Sequence, residues 1–306
     1  MRDLLDKRLV IVTGKGGVGK STVALALGLA AAERGRRTII CEVSSQERLS
    51  RTFHREQVGF HEVEVQPNLW AISIDPDESI REYVLLQLKV KAMRDLLFRS
   101  KLFNYLTAAT PGLRELVTIG KIWELALDER RVKEGHPYDL VIVDAPATGH
   151  GVGFLQTPRT FANVARVGPI AAQAETLHRF ITDHRRTGVA VVALPEEMPV
   201  NETAALEHDL AREVGVAVDR IFLNALYPDR FSAGDESALE RALGETDGAA
   251  QGAVQAALTV RRRAVAQREQ LARLKDITRS PVTVLPFIFE PDLGIEHLGD
   301  LTAAIP

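Results

Sequence analysis

The stretch from residue 14 to residue 22, Gly-Lys-Gly-Gly-Val-Gly-Lys-Ser-Thr, has the residue types and spacing of a loop that binds phosphate groups. An apolar run at residues 9–12 precedes it and an Ala/Leu-rich pattern at residues 21–34 follows it, which predicts a strand, a loop and a helix. Glycines let backbone N–H groups converge on phosphate oxygens, and a helix N-terminus adds partial positive charge. The predicted ligands are Gly14, Lys15, Gly16, Gly17, Val18, Gly19, Lys20, Ser21 and Thr22.

Two side chains of this stretch, called the phosphate loop (residues 14–22) below, have further chemistry. Lys20 would place a point charge between the terminal phosphates of a nucleotide, and Ser21 would place its hydroxyl on a magnesium ion. Asp144 ends an apolar run at residues 140–143, and a carboxylate at that place is expected to organise the same ion. The sequence therefore predicts a nucleotide site with Mg2+ at Ser21 and Asp144.

The segment after Asp144 reads Ala-Pro-Ala-Thr-Gly-His. Its glycine and proline suit a segment that reorders with the terminal phosphate and carries the nucleotide state outward. We expect Thr148, Gly149 and His150 to be the moving part. The alternative is that His150 only marks the entry of a helix.

Seven short apolar runs alternate with helical patterns along the chain. Most of the runs are continuous, as in strands that are buried on both faces of a sheet. This order predicts an α/β fold with a doubly wound, mostly parallel sheet. The predicted strands are residues 9–12, 38–40, 70–74, 140–143, 189–194, 220–223 and 282–285. The predicted helices include residues 21–34, 78–105, 202–214 and 253–275, with a loop at residues 244–252.

Residues 77–135 are too many for an ordinary crossover, which predicts a helical insertion within a single domain of residues 1–306. The insertion contains more apolar positions than one buried helix stripe needs. Either its helices pack on each other and on the sheet, or they form a groove that a partner covers.

The composition excludes several classes of protein. The chain carries 38 Lys plus Arg against 41 Asp plus Glu, so a large basic face for nucleic acid is not expected. It contains no window of about 18 apolar residues, so it is not expected to be an integral membrane protein. The single cysteine, Cys41, cannot form an intramolecular disulfide, which favours a reducing compartment and a cytoplasmic location.

Two motifs carry a resemblance to a known family. Lys15, which the basic phosphate-loop pattern does not require, makes the loop similar to the deviant phosphate loop K-G-G-x-G-K-[ST]. The run D-A-P-A-T-G-H at residues 144–150 resembles the second switch, D-T-A-P-T-G-H, of the arsenical-pump and tail-anchored-protein-targeting ATPases. Similar segments, such as residues 74–76 and 222–224, are spread over nearly the whole chain.

The resemblance implies a magnesium-dependent ATPase that dimerises around ATP. Lys15 would reach across the dimer interface to the partner's nucleotide and stabilise charge during phosphoryl transfer. Asn224 would read adenine, and Pro286 and Phe287 would close over the base. The second chain of the dimer would be either another copy or a paralogous chain.

The second strand departs from the family pattern. By spacing, Ser44 stands where the family has the acid that orients the attacking water, and a hydroxyl is a poor general base. Hydrolysis would be slow unless Glu42 or Glu47 substitutes; otherwise Glu42 belongs to the magnesium shell. Cys41 is expected to be a core thiol, because neither the metalloid-binding cysteine cluster nor the zinc-binding C-x-x-C pair of the family is present.

Three functions are compatible with these features. The first is ATP-driven handling of a hydrophobic protein segment by the helical insertion. The second is the energising of an anion or metalloid efflux system through a membrane-protein partner. The third is a partition-type or regulatory ATP switch in which slow hydrolysis acts as a timer.

Overall fold

The computed structural model describes residues 3–43, 48–53, 58–87, 98, 100, 109–132, 135–146, 148–165, 168–290 and 293–306. In these residues, eight strands form one sheet, and helices pack against both of its faces. The architecture is therefore the α/β, mostly parallel one that the alternation of strands and helices predicts.

The strands are β1 (Leu9–Gly14), β2 (Thr38–Glu42), β3 (Val63–Gln66), β4 (Leu69–Ser73), β5 (Leu140–Asp144), β6 (Thr187–Ala193), β7 (Arg220–Leu226) and β8 (Val282–Pro286). Across the sheet they lie in the order β3-β4-β2-β5-β1-β6-β7-β8, and the neighbours are parallel except for β3 with β4. The four strands β1, β2, β5 and β6 are buried along their whole length, which explains their continuous apolar sequences.

The helices are α1 (Lys20–Glu33), α2 (Arg48–Thr52), α3 (Pro76–Gln87), α4 (Leu113–Leu125), α5 (Thr148–Ala165), α6 (Pro169–Thr182), α7 (Glu197–Asp209), α8 (Ala233–Glu245), α9 (Gly248–Ile277) and α10 (Gly299–Ala303). Shorter helical turns lie at Leu4–Asp6, Leu210–Val214 and Ile295–His297. Among the helices in the described ranges, none combines the length and the apolar character that crossing a bilayer requires.

Alternate side chains of the central strands point into two hydrophobic clusters. Leu9 and Ile11 of β1 belong to the cluster shared with α4, α5, α6 and α7. Val10 and Val12 belong to the cluster shared with α1 and α10. Helices thus cover both faces of the sheet. Open α/β sheets bind ligands at the carboxyl edge, where the strands end.

The loop predicted at residues 244–252 is wrong. Helix α8 ends at Glu245 and α9 begins at Gly248, so only two residues separate the helices. Alanine is the best helix former, so Ala249, Ala250 and Ala253 favour a helix here, although each glycine costs about 1 kcal/mol relative to alanine. Helix α8 itself was not expected; a capping box of Ser232 with Asp235 starts it.

Other elements differ from the predictions in extent. The edge strand β3 was not predicted, because only Val65 of its four residues is buried and its pattern is weak. Helix α7 begins at Glu197 and not at residue 202. Of the helix predicted at residues 78–105, the structure describes α3, which begins at Pro76, and most of the part after Gln87 lies outside the described residues. The single domain with an insertion at residues 77–135 stays a prediction.

Candidate nucleotide-binding site

The phosphate loop connects β1 to α1 at the carboxyl edge of the sheet. Gly16 and Gly17 are exposed, whereas Val18 is buried and anchors the loop in the core. Lys20 is 7 % exposed, and its Nζ donates to the backbone carbonyl of Lys15 at 2.9 Å. The ammonium group therefore lies against the backbone of its own loop, at a helix N-terminus, and this arrangement suits phosphate oxygens.

Ser21 and Asp144 meet where α1 begins and β5 ends. Ser21 Oγ donates to Asp144 Oδ2 at 2.5 Å, and the two residues are only 9 % and 5 % exposed. The parallel pairing of β1 with β5 brings them together, since Val12 is in register with Asp144. Glu42, at the end of β2, is in register with Asp144 on the other side and is 1 % exposed.

The pair of Ser21 and Asp144 fits a magnesium ion by its chemistry. Hydroxyl and carboxylate oxygens are hard donors, and Mg2+ commonly takes one or two protein ligands together with waters and substrate phosphates. Among the residues that the structure describes, no group of three or more His, Cys, Asp or Glu side chains could hold a metal ion.

Lys15 extends away from the loop and is about half exposed. Its Nζ forms an ion pair with Glu202 Oε1 at 2.5 Å; the side chains of Lys15 and Glu202 are 52 % and 29 % exposed. Glu202 belongs to α7, which follows β6, and β6 lies beside β1 in the sheet. Within one chain, the charge that was predicted to act on a partner's nucleotide is thus paired with a carboxylate that no sequence pattern indicated.

Asn224, near the end of β7, contacts the other end of the phosphate loop. Its Nδ2 donates to the backbone carbonyl of Val18 at 3.0 Å. Gly19 lies against the same amide with a φ of 91°, and a Cβ at this position would overlap the Asn224 side chain. Glycine is therefore required there. The second N–H of the amide and its Oδ1 provide the donor and acceptor that an adenine edge needs.

The backbone leaves the regular strand pattern directly after Asn224. Ala225 has a φ of 61°, in the left-handed region, which costs a residue other than glycine on the order of 1 kcal/mol. The irregular segment of residues 225–227, at the end of β7, is called the turn below. Gln267 of α9 contacts it with both ends of its amide: Oε1 accepts from Tyr227 N at 2.8 Å, and Nε2 donates to Ala225 O at 3.4 Å. A side chain from a distant helix therefore holds the turn.

Three aromatic rings cluster beyond the ends of β7 and β8. Their centroids are 4.5 to 5.5 Å apart, and the rings are those of Tyr227, Phe287 and Phe289. The guanidinium of Arg263 lies 4.7 Å from the Tyr227 centroid, and that of Arg230 lies 4.5 Å from the Phe289 centroid. Pro286 is the last residue of β8 and Phe287 follows it, so the two predicted base residues lie at the end of the strand next to the one that carries Asn224.

Several predicted residues are only partly described. Ser44 and Glu47 lie outside the described residues, so their roles stay predictions. For residues 148–150 the structure gives the backbone, which forms the first turn of α5. A Cβ at Gly151 would lie 2.9 Å from Thr13 Oγ1, so the start of α5 packs closely on the end of β1.

Cys41 is fully buried in β2, and burial raises the pKa of its thiol. The prediction of a core thiol is confirmed, because Cys41 is 0 % exposed and belongs to the hydrophobic cluster that contains Ile11 and Val143.

A buried ion-pair network lies on the side of the sheet that carries β3. Arg130 donates to Glu62 at 2.7 Å and to Glu124 at 2.9 Å, and Tyr138 donates to Glu62 at 2.6 Å. Burial alone would raise the pKa of Glu62, but the hydrogen bonds from Arg130 and Tyr138 outweigh it and lower that pKa. The network thus joins the loop before β3 to the end of α4.

A cavity of about 230 Å3 lies between α3, α4 and α6. Its lining includes two charged contacts: Lys121 forms an ion pair with Glu82 at 2.7 Å, and Arg131 stacks over the ring of Trp123 at 4.4 Å. The rest of the wall is mainly apolar and includes Ile80, Val84, Leu86, Leu116, Val117 and Leu177. Leu86 and Ile170 line the cavity and are 40 % and 51 % exposed, so its apolar wall continues onto the surface.

Sequence reasoning missed Glu202, Gln267 and Tyr227. Each lies on a different element from the residue it contacts, so no local spacing connects them. The only signal in the sequence was the strand order expected for the fold, which places the carboxyl ends of β1, β6, β7 and β8 side by side.

Comparisons with known proteins agree with the geometry. The family described as anion-transporting ATPase matches residues 7–170 and 163–242. ATPase BagA of Mycobacterium tuberculosis is 30 % identical over 228 residues, which cover 72 % of this chain and 66 % of that protein. A putative arsenical pump-driving ATPase of Halobacterium salinarum is 26 % identical over 312 residues, which cover 98 % and 44 %. ATPase ASNA1 homolog 1 of Paramecium tetraurelia is 26 % identical over 259 residues, which cover 72 % and 75 %.

The matched part spans 66 % of the mycobacterial relative and 44 % of the halobacterial one. The family match itself covers well over half of the chain and includes the phosphate loop, Asp144 and Asn224. The resemblance that the motifs indicated is thereby confirmed, and the chain belongs to the anion-transporting ATPase family.

Proposed function

We propose that the chain binds ATP with Mg2+ and hydrolyses it to ADP and phosphate. The observation that carries this proposal is the contact of Ser21 with Asp144 at 2.5 Å beside the buried Lys20. Lys20 would neutralise charge on the terminal phosphates, and Ser21 and Asp144 would hold the ion, which supplies charge stabilisation to the transferring phosphoryl group when bound. The relatives, which are named as ATPases, support the same function.

Slow turnover is part of this proposal. By its spacing in the family pattern, Ser44 stands at the position of the water-orienting acid. Glu42, which lies next to Asp144 in the sheet, is a carboxylate that could substitute for it. The test is ATP hydrolysis by the purified chain, with Mg2+ and with EDTA. We expect slow, Mg2+-dependent turnover, its loss in Asp144→Asn and its increase in Ser44→Asp. Equal rates for wild type and Asp144→Asn would contradict the proposal.

We further propose that ATP drives dimerisation, with Lys15 contacting the nucleotide of the second subunit. Lys15 is half exposed, so it is accessible to a partner once it leaves Glu202. Light scattering with ATP should show a dimer for wild type and a monomer for Lys15→Ala. If wild type stays monomeric, mixing it with paralogous chains distinguishes a heterodimer from a chain that acts alone.

The region around α3, α4 and α6 is proposed to bind a hydrophobic protein segment. Its support is the apolar cavity and the exposed Leu86 and Ile170. A photo-crosslinker at Leu86 should label a model transmembrane peptide in a nucleotide-dependent manner. A crosslinker at Met198, which is 69 % exposed on α7, is the matched control. Stimulation of hydrolysis by a soluble oxyanion, without peptide labelling, would instead favour an efflux subunit. The absence of both peptide labelling and oxyanion stimulation would favour a regulatory switch.

A further inference from the structure

Gln267 is a buried polar side chain that the proposed catalysis does not use. It lies near the middle of α9 and is 4 % exposed. Buried amides are costly unless they are hydrogen-bonded, and both ends of this one bond to main-chain groups of a single turn, at Tyr227 N and Ala225 O. Because both hydrogen bonds go to the main chain of residues 225 and 227, the amide constrains the backbone there in addition to packing.

The turn that Gln267 contacts is not one that the chain would adopt by itself. Ala225 is in the left-handed region, and the register of β7 with β8 shifts between Leu223 and Leu226. Strained backbone of this kind persists only where surrounding contacts over-determine it. Among the described residues, those contacts include the two bonds from Gln267 and the bond from Phe287 N to Leu226 O at 2.9 Å.

The strained residue directly follows Asn224. The conformation of Ala225 sets the path of the backbone that carries Asn224, so it contributes to the placement of the Asn224 amide. That amide is held at Val18 O and against Gly19, at the end of the phosphate loop. A shift of the turn would therefore move the amide relative to a nucleotide whose phosphates stay in place.

We propose that Gln267 is a positioning residue for the nucleotide base, which holds residues 225–227 so that Asn224 reads adenine and rejects guanine. This inference rests on the proposed nucleotide binding. It acts on the base and not on the phosphates, so the two ideas are tested by different ligands. A site that hydrogen-bonds a specific edge loses its discrimination when its amide is misplaced.

The test compares wild type, Gln267→Leu and Gln270→Leu. Gln270 lies one turn further along α9 and its Oε1 has no hydrogen-bond partner in the described residues, so it is the matched control. Isothermal titration would measure the Kd values of ADP, GDP and inorganic tripolyphosphate, each with Mg2+. We expect Gln267→Leu to weaken ADP about tenfold, to lower the ADP/GDP preference, and to leave tripolyphosphate unchanged.

Two results would overturn the inference: an unchanged ADP/GDP preference in Gln267→Leu, or an equal loss of ADP and tripolyphosphate. If a thermal unfolding experiment shows that Gln267→Leu is not folded, Gln267→Glu is measured in its place. It keeps the acceptor for Tyr227 N but places a carboxylate oxygen against Ala225 O, so it should show the same selective loss. Failure of wild type to bind either ADP or tripolyphosphate would instead contradict the proposed function.

Discussion

The two ends of the candidate site are built in different ways. The phosphate end consists of the phosphate loop and Asp144, and most of its groups are neighbours in sequence. The base end consists of residues 224–227, Gln267 and Phe287, which come from three separate elements. The phosphate end can therefore be read from a motif, whereas the base end depends on how β7, β8 and α9 pack.

The difference also concerns which atoms bind. At the phosphate end the groups proposed to bind are backbone N–H groups and one buried lysine, so side-chain identity is expected to matter at few positions. At the base end one amide, that of Asn224, is proposed to bind, and it precedes a strained residue that Gln267 contacts, so distant contacts are expected to matter as well. Mutations at the two ends should consequently have separable effects on phosphate binding and on base selectivity.

The largest effect is expected from breaking the phosphate end alone. Lys20→Ala removes the buried ammonium from the loop and should lower the hydrolysis rate by about 100-fold or more, because such groups stabilise charge in the transition state. The measurement is steady-state phosphate release. Lys275→Ala, at the exposed end of α9, is the control. A hydrolysis rate for Lys20→Ala within a factor of two of wild type would contradict the proposed role of Lys20.

Gly19→Ala should damage both ends at once. The new Cβ would overlap the Asn224 amide, and the alanine would have to adopt a φ of 91°. We therefore expect ATP affinity to fall about tenfold or more. Gly17→Ala separates the two causes: its φ is 83°, but no atom of the residues that the structure describes lies within 4 Å of the added Cβ. It should weaken tripolyphosphate and leave base selectivity intact. Identical profiles for the two variants would contradict a contact between the ends.

A smaller effect is expected at Glu202. An exposed ion pair is worth about 0.2–1 kcal/mol, so releasing Lys15 in Glu202→Gln should lower the ATP concentration for half-maximal dimerisation about two- to fivefold. Glu197→Gln, on the same helix and 74 % exposed, is the control. Light scattering across an ATP titration measures it. A higher ATP requirement would show that Glu202 assists Lys15 instead of competing for it.

A substitution of Glu62 should change stability and leave ligand binding at both ends of the site unaffected, so it serves as a reference for the comparison. Its pKa is lowered from an ordinary value of 4.5, so its contribution to stability is present above pH 4.5 and is lost as the pH falls through the lower folded-state pKa. Glu62→Gln should reduce the free energy of unfolding by about 1–3 kcal/mol at pH 7, and the difference should shrink in acid. Denaturant titrations at pH 7 and pH 3.5 measure this. A pH-independent difference would argue against the charge of Glu62.

Much of the fold could be predicted because both faces of the central strands are buried. The continuous apolar runs at β1, β2, β5 and β6 indicate strands that are buried in a parallel sheet. Their alternation with helical patterns indicates helices packed on both faces of that sheet. The polar edge strand β3 and the glycine-containing start of α9 were misread. There, local composition is ambiguous and neighbouring residues decide the outcome.

By itself the sequence determined the phosphate loop, the pairing of Ser21 with Asp144 and the family, because these depend on contiguous residues and on strand ends that any parallel sheet aligns. Only the tertiary structure decided that Glu202 pairs with Lys15, that Gln267 holds the turn after Asn224, and that α3, α4 and α6 enclose a cavity. These contacts join elements far apart in the chain, and their geometry follows from packing, which no local pattern encodes.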